Sequence, residues 1–300
     1  SMTLYYACFY PSIMLITPFH EQPHSLLPVS IAAPHRAILS LMLHYISIAT
    51  CKKLLIKKFT PGIYSIKSLY YLRQWTVVKM LDSDEIYVMA DSLYLPHFMR
   101  FLGAKLGKSV EMGEAPHIIP DLITIHDEGF AASSVALAWP NVYQGCIRFS
   151  PAKIGKRAFL GNVSFLPLGA HVGDGGLLGC MSITPPNNQA ADHHTSWLGS
   201  PAVFLPKREI VSGFSDSERF TPSRRLYNTR LGIEFLRIIA PTTFTLVALF
   251  NMLYVLNILL SNCSLLTTIF VLPVAELIII CALVAVIIGL KWLLLGKLKP

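Results

Sequence analysis

The 300 residues contain no CxxC pair, no GxGxxG or Walker loop and no HExxH helix. Zinc-ribbon, dinucleotide, P-loop and metalloprotease chemistry therefore have no sequence support. Cys8, Cys51, Cys146, Cys180, Cys263 and Cys281 lie mostly in apolar runs. That spacing gives neither a metal site nor a secreted disulfide framework, and the six read as small apolar residues of a reducing compartment. Charge is also scarce: 14% of residues are Asp, Glu, Lys or Arg, with 17 acidic against 25 basic for a formal net +8. The basic residues cluster beside apolar stretches and no nucleic-acid motif accompanies them, so they read as membrane flanks and no nucleic-acid partner is expected. No basic n-region precedes the first apolar run, so no cleavable signal peptide is evident.

Apolar residues are abundant, at 53% of the chain, and the mean hydropathy is +0.52. Both values point to membrane segments. The runs 3–19 and 26–50 are imperfect candidates. The first holds Pro11 and Pro18; the second holds His35, Arg36 and His44. Lys52, Lys53, Lys57 and Lys58 follow, which places that end in the cytoplasm by the positive-inside rule. Residues 60–75, with Tyr64, Tyr70, Tyr71 and Trp75 interleaved with Lys67 and Arg73, read as a surface helix, either at the membrane or packed on the protein. Two runs near the other end, 235–260 and 265–290, each exceed the roughly 20 residues needed to span a bilayer. Four residues separate them, so they form a hairpin, and Glu276 falls inside it.

Between the apolar regions the chain repeats in sixes. The stretch 154–183 reads IGKRAF LGNVSF LPLGAH VGDGGL LGCMSI. Each hexad opens with an aliphatic residue: Ile154, Leu160, Leu166, Val172, Leu178. Gly fills the second place at 155, 161, 173 and 179, and Pro167 replaces it once. The fifth place is small throughout: Ala158, Ser164, Ala170, Gly176, Ser182. This period fits neither a helix nor a two-faced strand. It fits a left-handed parallel β-helix, in which aliphatic and small places point inward and stack on the next coil about 4.8 Å away. Gly is expected to supply the turn conformations. A looser pattern starts at Leu102, slips by one residue near 117–118, and is interrupted by the excursion LAWPNVYQGCIRFSPAK. The whole gives roughly four coils of eighteen residues, enough to fold as a unit once capped. The fold expected is mixed α and β: a β-helix flanked by transmembrane helices. Its divisions are 1–51 (membrane helices), 52–101 (basic exit and surface helix), 102–209 (β-helix and exit loop), 210–230 (polar linker) and 231–300 (membrane hairpin).

Residues 32–61 and 271–300 align without a gap. Pro34 matches Pro273, Ile48 matches Ile287, Lys52 matches Lys291, and KKLLIKKFTP matches KWLLLGKLKP. A membrane helix with a basic exit thus occurs twice, as expected of a repeating unit cut from a longer protein.

LGAKLGKSVEMG at 102–113, the hexads, TSWLGSPAVFLPKRE at 195–209 and the repeated KxLLxxKxxP together resemble one family. It is the membrane-bound C-terminal region of nonribosomal-peptide-synthetase-like proteins, the group that includes poly-lysine synthetase. The resemblance covers most of the chain and implies an acyl- or aminoacyl-transfer, amide-forming module facing the cytoplasm. It implies an acyl-CoA or carrier-bound phosphopantetheine thioester as donor, with no metal. The partners implied are the lipid bilayer, a carrier domain, and neighbouring β-helix modules that complete a trimer or pseudo-trimer.

Acyl transfer to an amine needs a base for the ammonium proton and donors for the oxyanion. Histidine suits the first role. His171 takes the sixth place of its hexad beside inward-facing Val172, so its ring should point outward; His126 stands in a second place and also points out. His117 lies at the slip, and His193 and His194 lie in the exit loop. His171, His126 and His194 are the catalytic candidates, although the excursion 137–145 carries no His. Gly199, Ser200, Pro201 and Ala202 resemble the G-x-P-A turn that lies beside the pantetheine in hexapeptide transferases, and Lys207 and Arg208 would meet a phosphate. A non-catalytic scaffold that gathers carrier domains, or a transporter segment using Glu276, are the alternative functions.

Overall fold

The computed structural model describes residues 26–114, 118–208, 213 and 215–296. The first apolar run, His117, Glu209 and the last four residues lie outside the described residues. The chain divides into two units, one built on 44–235 and the other on 6–43 with 236–300.

The first unit is organised by three parallel ladders. Short strands β2 (Lys105–Leu106), β4 (Ile123–Ile125), β9 (Ala152–Ile154) and β12 (His171–Val172) stack as one face. A second face stacks β3 (Glu111–Met112), β5 (Phe130–Ala131), β10 (Phe159–Leu160), β13 (Leu177–Leu178) and β14 (Ser196–Leu198). The third pairs β6 (Ala136–Leu137) with β11 (Phe165–Leu166), and Phe165 bridges to Ile183. Ile154 pairs with Val172 and Leu160 with Leu178, so one circuit of the three faces takes eighteen residues. Lys105 pairs with Thr124, one residue more, which is the slip; Ile125 pairs with Ile154 across the excursion. The hexad residues behave as their spacing demands. Ile154, Leu160 and Leu166 are fully buried, and Ala158, Ser164 and Ser182 fill the narrow places between them. Each circuit buries apolar atoms only against its neighbours, so the stack holds together coil by coil.

The glycines of the second places correct the expectation. None of Gly155, Gly161, Gly173 and Gly179 has a positive φ. The left-handed positions fall two residues later, at Arg157, Val163, Gly175 and Met181, and again at Glu128, Ser134 and His194. Gly is needed at the second place because a Cβ there would collide with the next coil: on Gly155 it meets the backbone of Gly173 and Asp174, and on Gly161 that of Gly179 and Cys180. Gly155→Ala is accordingly expected to destabilise this unit by about 1–3 kcal/mol, read as a lowered midpoint in denaturant unfolding of the full chain.

Both ends of the stack are covered. At the first coil, helix α4 (Tyr94–Phe101) follows α2 (Leu69–Leu81) and α3 (Asp84–Met89). From α4, Arg100 donates Nε to the Leu106 carbonyl at 3.0 Å and Nη2 to that of Gly107. At the last coil, β15 (Val203–Phe204) folds back antiparallel on β14. The excursion has secondary structure of its own. Its strands β7 (Asn141–Tyr143) and β8 (Cys146–Phe149) form a hairpin that pairs antiparallel with β1 (Gly62–Ser65). Tyr64 therefore lies in a strand, and the helix read over 60–75 begins only at Leu69.

Helix α1 (Leu26–Leu55) runs through Pro34. Its last turns belong to the first unit, where Ile48 and Lys52 are buried. Lys52 is not a solvated membrane flank. Its Nζ lies 2.7 Å from Asp121 Oδ2, with both side chains about 6% exposed. The segment read as a polar linker carries α5 (Asp216–Phe220), and α6 (Arg224–Asn262) starts inside it. Arg157 pairs with Asp216 and lies over the Phe220 ring, fixing this segment on the coil. Further on, Arg230 bonds Glu111 at 2.7 Å and Glu234, and Glu234 accepts the Leu93 N–H at 2.7 Å.

The second unit contains the apolar part of α6 and helix α7 (Leu265–Leu295). Stretches of α1, α6 and α7 are each long and apolar enough to cross a membrane. Ser264 caps α7 by accepting the Thr267 N–H at 3.2 Å. Thr243, Thr245, Asn251, Asn262 and Thr268 in these helices bond to their own backbone, Asn251 to the Val247 carbonyl for example.

Candidate functional site

The ladder of the first face aligns Lys105, Thr124, Lys153 and His171. All four alternate with buried neighbours, Ile125, Ile154 and Val172 among them, so they project outward about 4.8 Å apart. Beyond the ladder the chain turns a corner, and there His126, Asp174 and His193 lie close enough to His171 to act on its charge. Half-burial disfavours the imidazolium most; the Lys153 ammonium and, after it, His126 and His193 act in the same direction, while Asp174 opposes them. The net effect lowers the His171 pKa below its ordinary 6.5.

Asp174 is held firmly at this corner. Its Oδ1 accepts the Lys156 N–H at 2.7 Å, and its Oδ2 stands 3.8 Å from His193 Nδ1. Asp127 repeats the first contact two coils earlier, accepting the Lys108 N–H at 2.7 Å. These carboxylates tie successive turns together, and Asp174 faces a histidine as well. Lys153, Asp174 and His193 are not among the catalytic candidates that the hexad places single out. Aligning the chain coil upon coil would have found them, but the excursion breaks the eighteen-residue register between His126 and Gly155.

The other candidates separate. His194 occupies the left-handed position of the last turn, φ 60°, where its ring sits over Gly175. Arg208 comes to the same corner, its Nη1 donating to the Gly175 carbonyl at 3.3 Å, and Lys207 is exposed beside it. Gly199, Ser200, Pro201 and Ala202 form the opposite corner, at the far end of β14. The Gly199 N–H donates to Ser182 Oγ at 2.8 Å, and the Ser200–Pro201 peptide is cis. The β14–β15 hairpin spans the distance between the two corners. Among the described residues no three His, Cys, Asp or Glu side chains converge as a metal would require.

An outward-facing imidazole of lowered pKa beside a lysine ammonium is chemically able to accept a proton from an amine while the ammonium stabilises negative charge on an attacked carbonyl. The parallel hexad stack is an architecture of hexapeptide-repeat type. No family model matches the chain. It is 29% identical over 310 residues to the delta-poly-L-ornithine synthetase of Acinetobacter baumannii (strain AB307-0294), which covers 99% of this chain and 23% of that protein. The chain thus spans about a quarter of the length of that curated relative. Among solved structures it is similar to a galactoside acetyltransferase in complex with coenzyme A, with 16% identity and a TM-score of 0.39 over 52% of this chain and 92% of that one. A maltose O-acetyltransferase from Clostridium difficile 630 gives 15% identity and a TM-score of 0.35 over 53% and 97%.

Proposed function

We propose that the chain is a membrane-anchored acyl- or aminoacyl-transfer module of a nonribosomal-peptide-synthetase-like protein, with its coil wound left-handed and facing the cytoplasm. The observation that carries this reading is His171, half-buried, outward-facing and kept neutral beside Lys153 and the Asp174 corner. In the reaction, an amine nitrogen attacks the carbonyl carbon of a thioester and an amide C–N bond forms. His171 takes the ammonium proton. The C–S bond then breaks, and the departing thiolate recovers that proton from the imidazolium. Lys153 lies one coil away and supports the oxyanion. His126 and His193 tune the base, Asp174 holds His193, and His194 closes the corner. The donor is an acyl-CoA or the phosphopantetheine arm of a carrier domain. Lys207 and Arg208 would hold its phosphate, and Gly199, Ser200, Pro201 and Ala202 would leave room for its arm. The similarity to a poly-ornithine synthetase supports amide formation at an amine.

One observation favours a second reading, a scaffold for carrier domains. The excursion, which has room for a catalytic His, is instead occupied in pairing with β1. The two readings divide on one measurement. The intact synthetase containing this module is supplied with carrier-bound aminoacyl thioester and a free amine, and amide product is counted by mass spectrometry. The transfer reading expects a variant lacking the His126, His171 and His193 side chains to make almost none; undiminished product assigns the module to scaffolding.

A further inference from the structure

The sheet built from β1 and the excursion has one buried and one open face. Its register puts Gly62 opposite Phe149, and Tyr64 opposite Ile147, on one side. Phe149 and Ile147 are buried there, the Phe149 ring 6.3 Å from that of Phe59 and 5.8 Å from that of Tyr64. The residues between them face the other way. Ile63 pairs with Arg148 and Arg148 with Asn141; Ser65 pairs with Cys146 and Cys146 with Tyr143. On this outer face Ile63 is 69% and Tyr143 71% exposed. Lys67 follows β1, and the stack of Tyr64 on Tyr70 at 4.2 Å holds the start of α2 to the sheet. Leu69, Leu72 and Arg73 of that helix are exposed, as are Lys57 and Lys58 just before β1. No carboxylate balances these cations. Asp and Glu are absent from 22–81 and from 129–173, the two stretches that build the surface. Asp121, which accepts the Phe59 N–H, is itself buried with Lys52.

We infer that this face rests on the headgroups of an anionic bilayer. Charge selects a negatively charged partner, and the interleaving of apolar and basic side chains selects lipid. The core of a protein contact gathers its apolar residues and is depleted of lysine. Here each apolar side chain has a cation beside it: Ile63 opposite Arg148, Leu69 two residues from Lys67, and Leu72 next to Arg73. A headgroup layer accepts that mixture, because aliphatic and tyrosine side chains sink between lipids while lysine and arginine heads stay at the phosphates. Clustered cations of this number are what anionic lipid attracts. The inference rests on the membrane anchorage proposed above and is independent of the transfer chemistry.

The test uses the full chain in lipid nanodiscs, with its native cysteines changed to Ser and a fluorophore placed through Tyr143→Cys. Recovery of the chain in the discs reads the anchorage, and quenching by brominated lipid reads the contact, so the two fail separately. In discs containing phosphatidylglycerol the label should be quenched at least about twofold more than in phosphatidylcholine alone. It should also be quenched more than a label placed through Val163→Cys, on an exposed turn of the coil. Lys57→Gln combined with Lys67→Gln should weaken the attachment about tenfold or more, returning the label toward its phosphatidylcholine level. Both lysines are exposed, so the unfolding midpoint should not change. The inference is overturned if phosphatidylglycerol adds nothing to the quenching at 143, or if the labels at 143 and 163 are quenched alike. It is equally overturned if the label at 143 escapes brominated lipid yet is shielded from iodide in native membranes, which would assign the face to an acidic protein.

Discussion

His171→Asn is expected to lower amide formation by about 10²–10⁴-fold, the range for losing a general base, while leaving the unfolding midpoint nearly unchanged. Asn keeps a polar group on the outer face of the ladder and disturbs none of the buried column behind it. The pH profile carries more information than the magnitude. With its pKa below the ordinary 6.5, His171 keeps its neutral, proton-accepting form to lower pH than an unperturbed imidazole would. The acidic limb of the wild-type rate should therefore fall at lower pH than a free imidazole would give. Lys153→Met removes one of the cations that depress this pKa, so the limb should shift upward, though only in part because burial is the larger cause. Stability follows the same sign. The native state binds the proton less readily than the unfolded chain, so the contribution of neutral His171 is present above pH 6.5 and is lost as pH falls toward its depressed native pKa. A rate profile identical in wild type and Lys153→Met would remove His171 as the titrating base.

The coil was legible because its constraint is local and recurs: every sixth residue faces the same buried axis, so Ile154, Leu160, Leu166, Val172 and Leu178 announce it together. The reason for glycine was not legible. A second-place Gly and a turn Gly look alike in one dimension, and only the next coil shows that Gly155 yields space to Gly173 and Asp174 while Arg157 takes the left-handed turn. The site was half visible. His171 and His126 could be assigned outward directions from their places in the hexads. Lys153 and Asp174 join them through neighbours one coil away, across a register that the 137–153 excursion hides. The strands of that excursion stay hidden in the sequence because β7 and β8 find their third member at Gly62–Ser65, some eighty residues earlier. Periodicity within a segment cannot reveal a partner that distant. The internal repeat has the same limit. Lys52 and Lys291 occupy equivalent places in sequence, but Lys52 is buried and paired while Lys291 is exposed.

The Lys52–Asp121 pair is where that difference has the largest stability consequence. Asp121 Oδ2 meets the Lys52 ammonium at 2.7 Å and also accepts the Phe59 N–H at 3.2 Å. The ammonium lies 5.8 Å from the centre of the Phe59 ring. Gly103, at φ 111°, leaves the space that the carboxylate occupies. Breaking such a pair from one side strands the other charge away from water. Lys52→Met and Asp121→Asn should therefore each cost about 3–5 kcal/mol, a large share of the 5–15 kcal/mol that typically holds a domain together. The double variant should recover most of that loss. Methionine fills the path of the lysine stem, and the asparagine amide oxygen still accepts from Phe59. Denaturant unfolding of all three variants measures the coupling, and trypsin gives a local readout. Once the last turns of α1 come away from the coil, cleavage after the exposed Lys53, Lys57 and Lys58 should accelerate in each single variant and return toward the wild-type rate in the double. Additive losses in the double variant would show that the two charges are solvated independently and that α1 is held instead by apolar contacts such as those of Ile48.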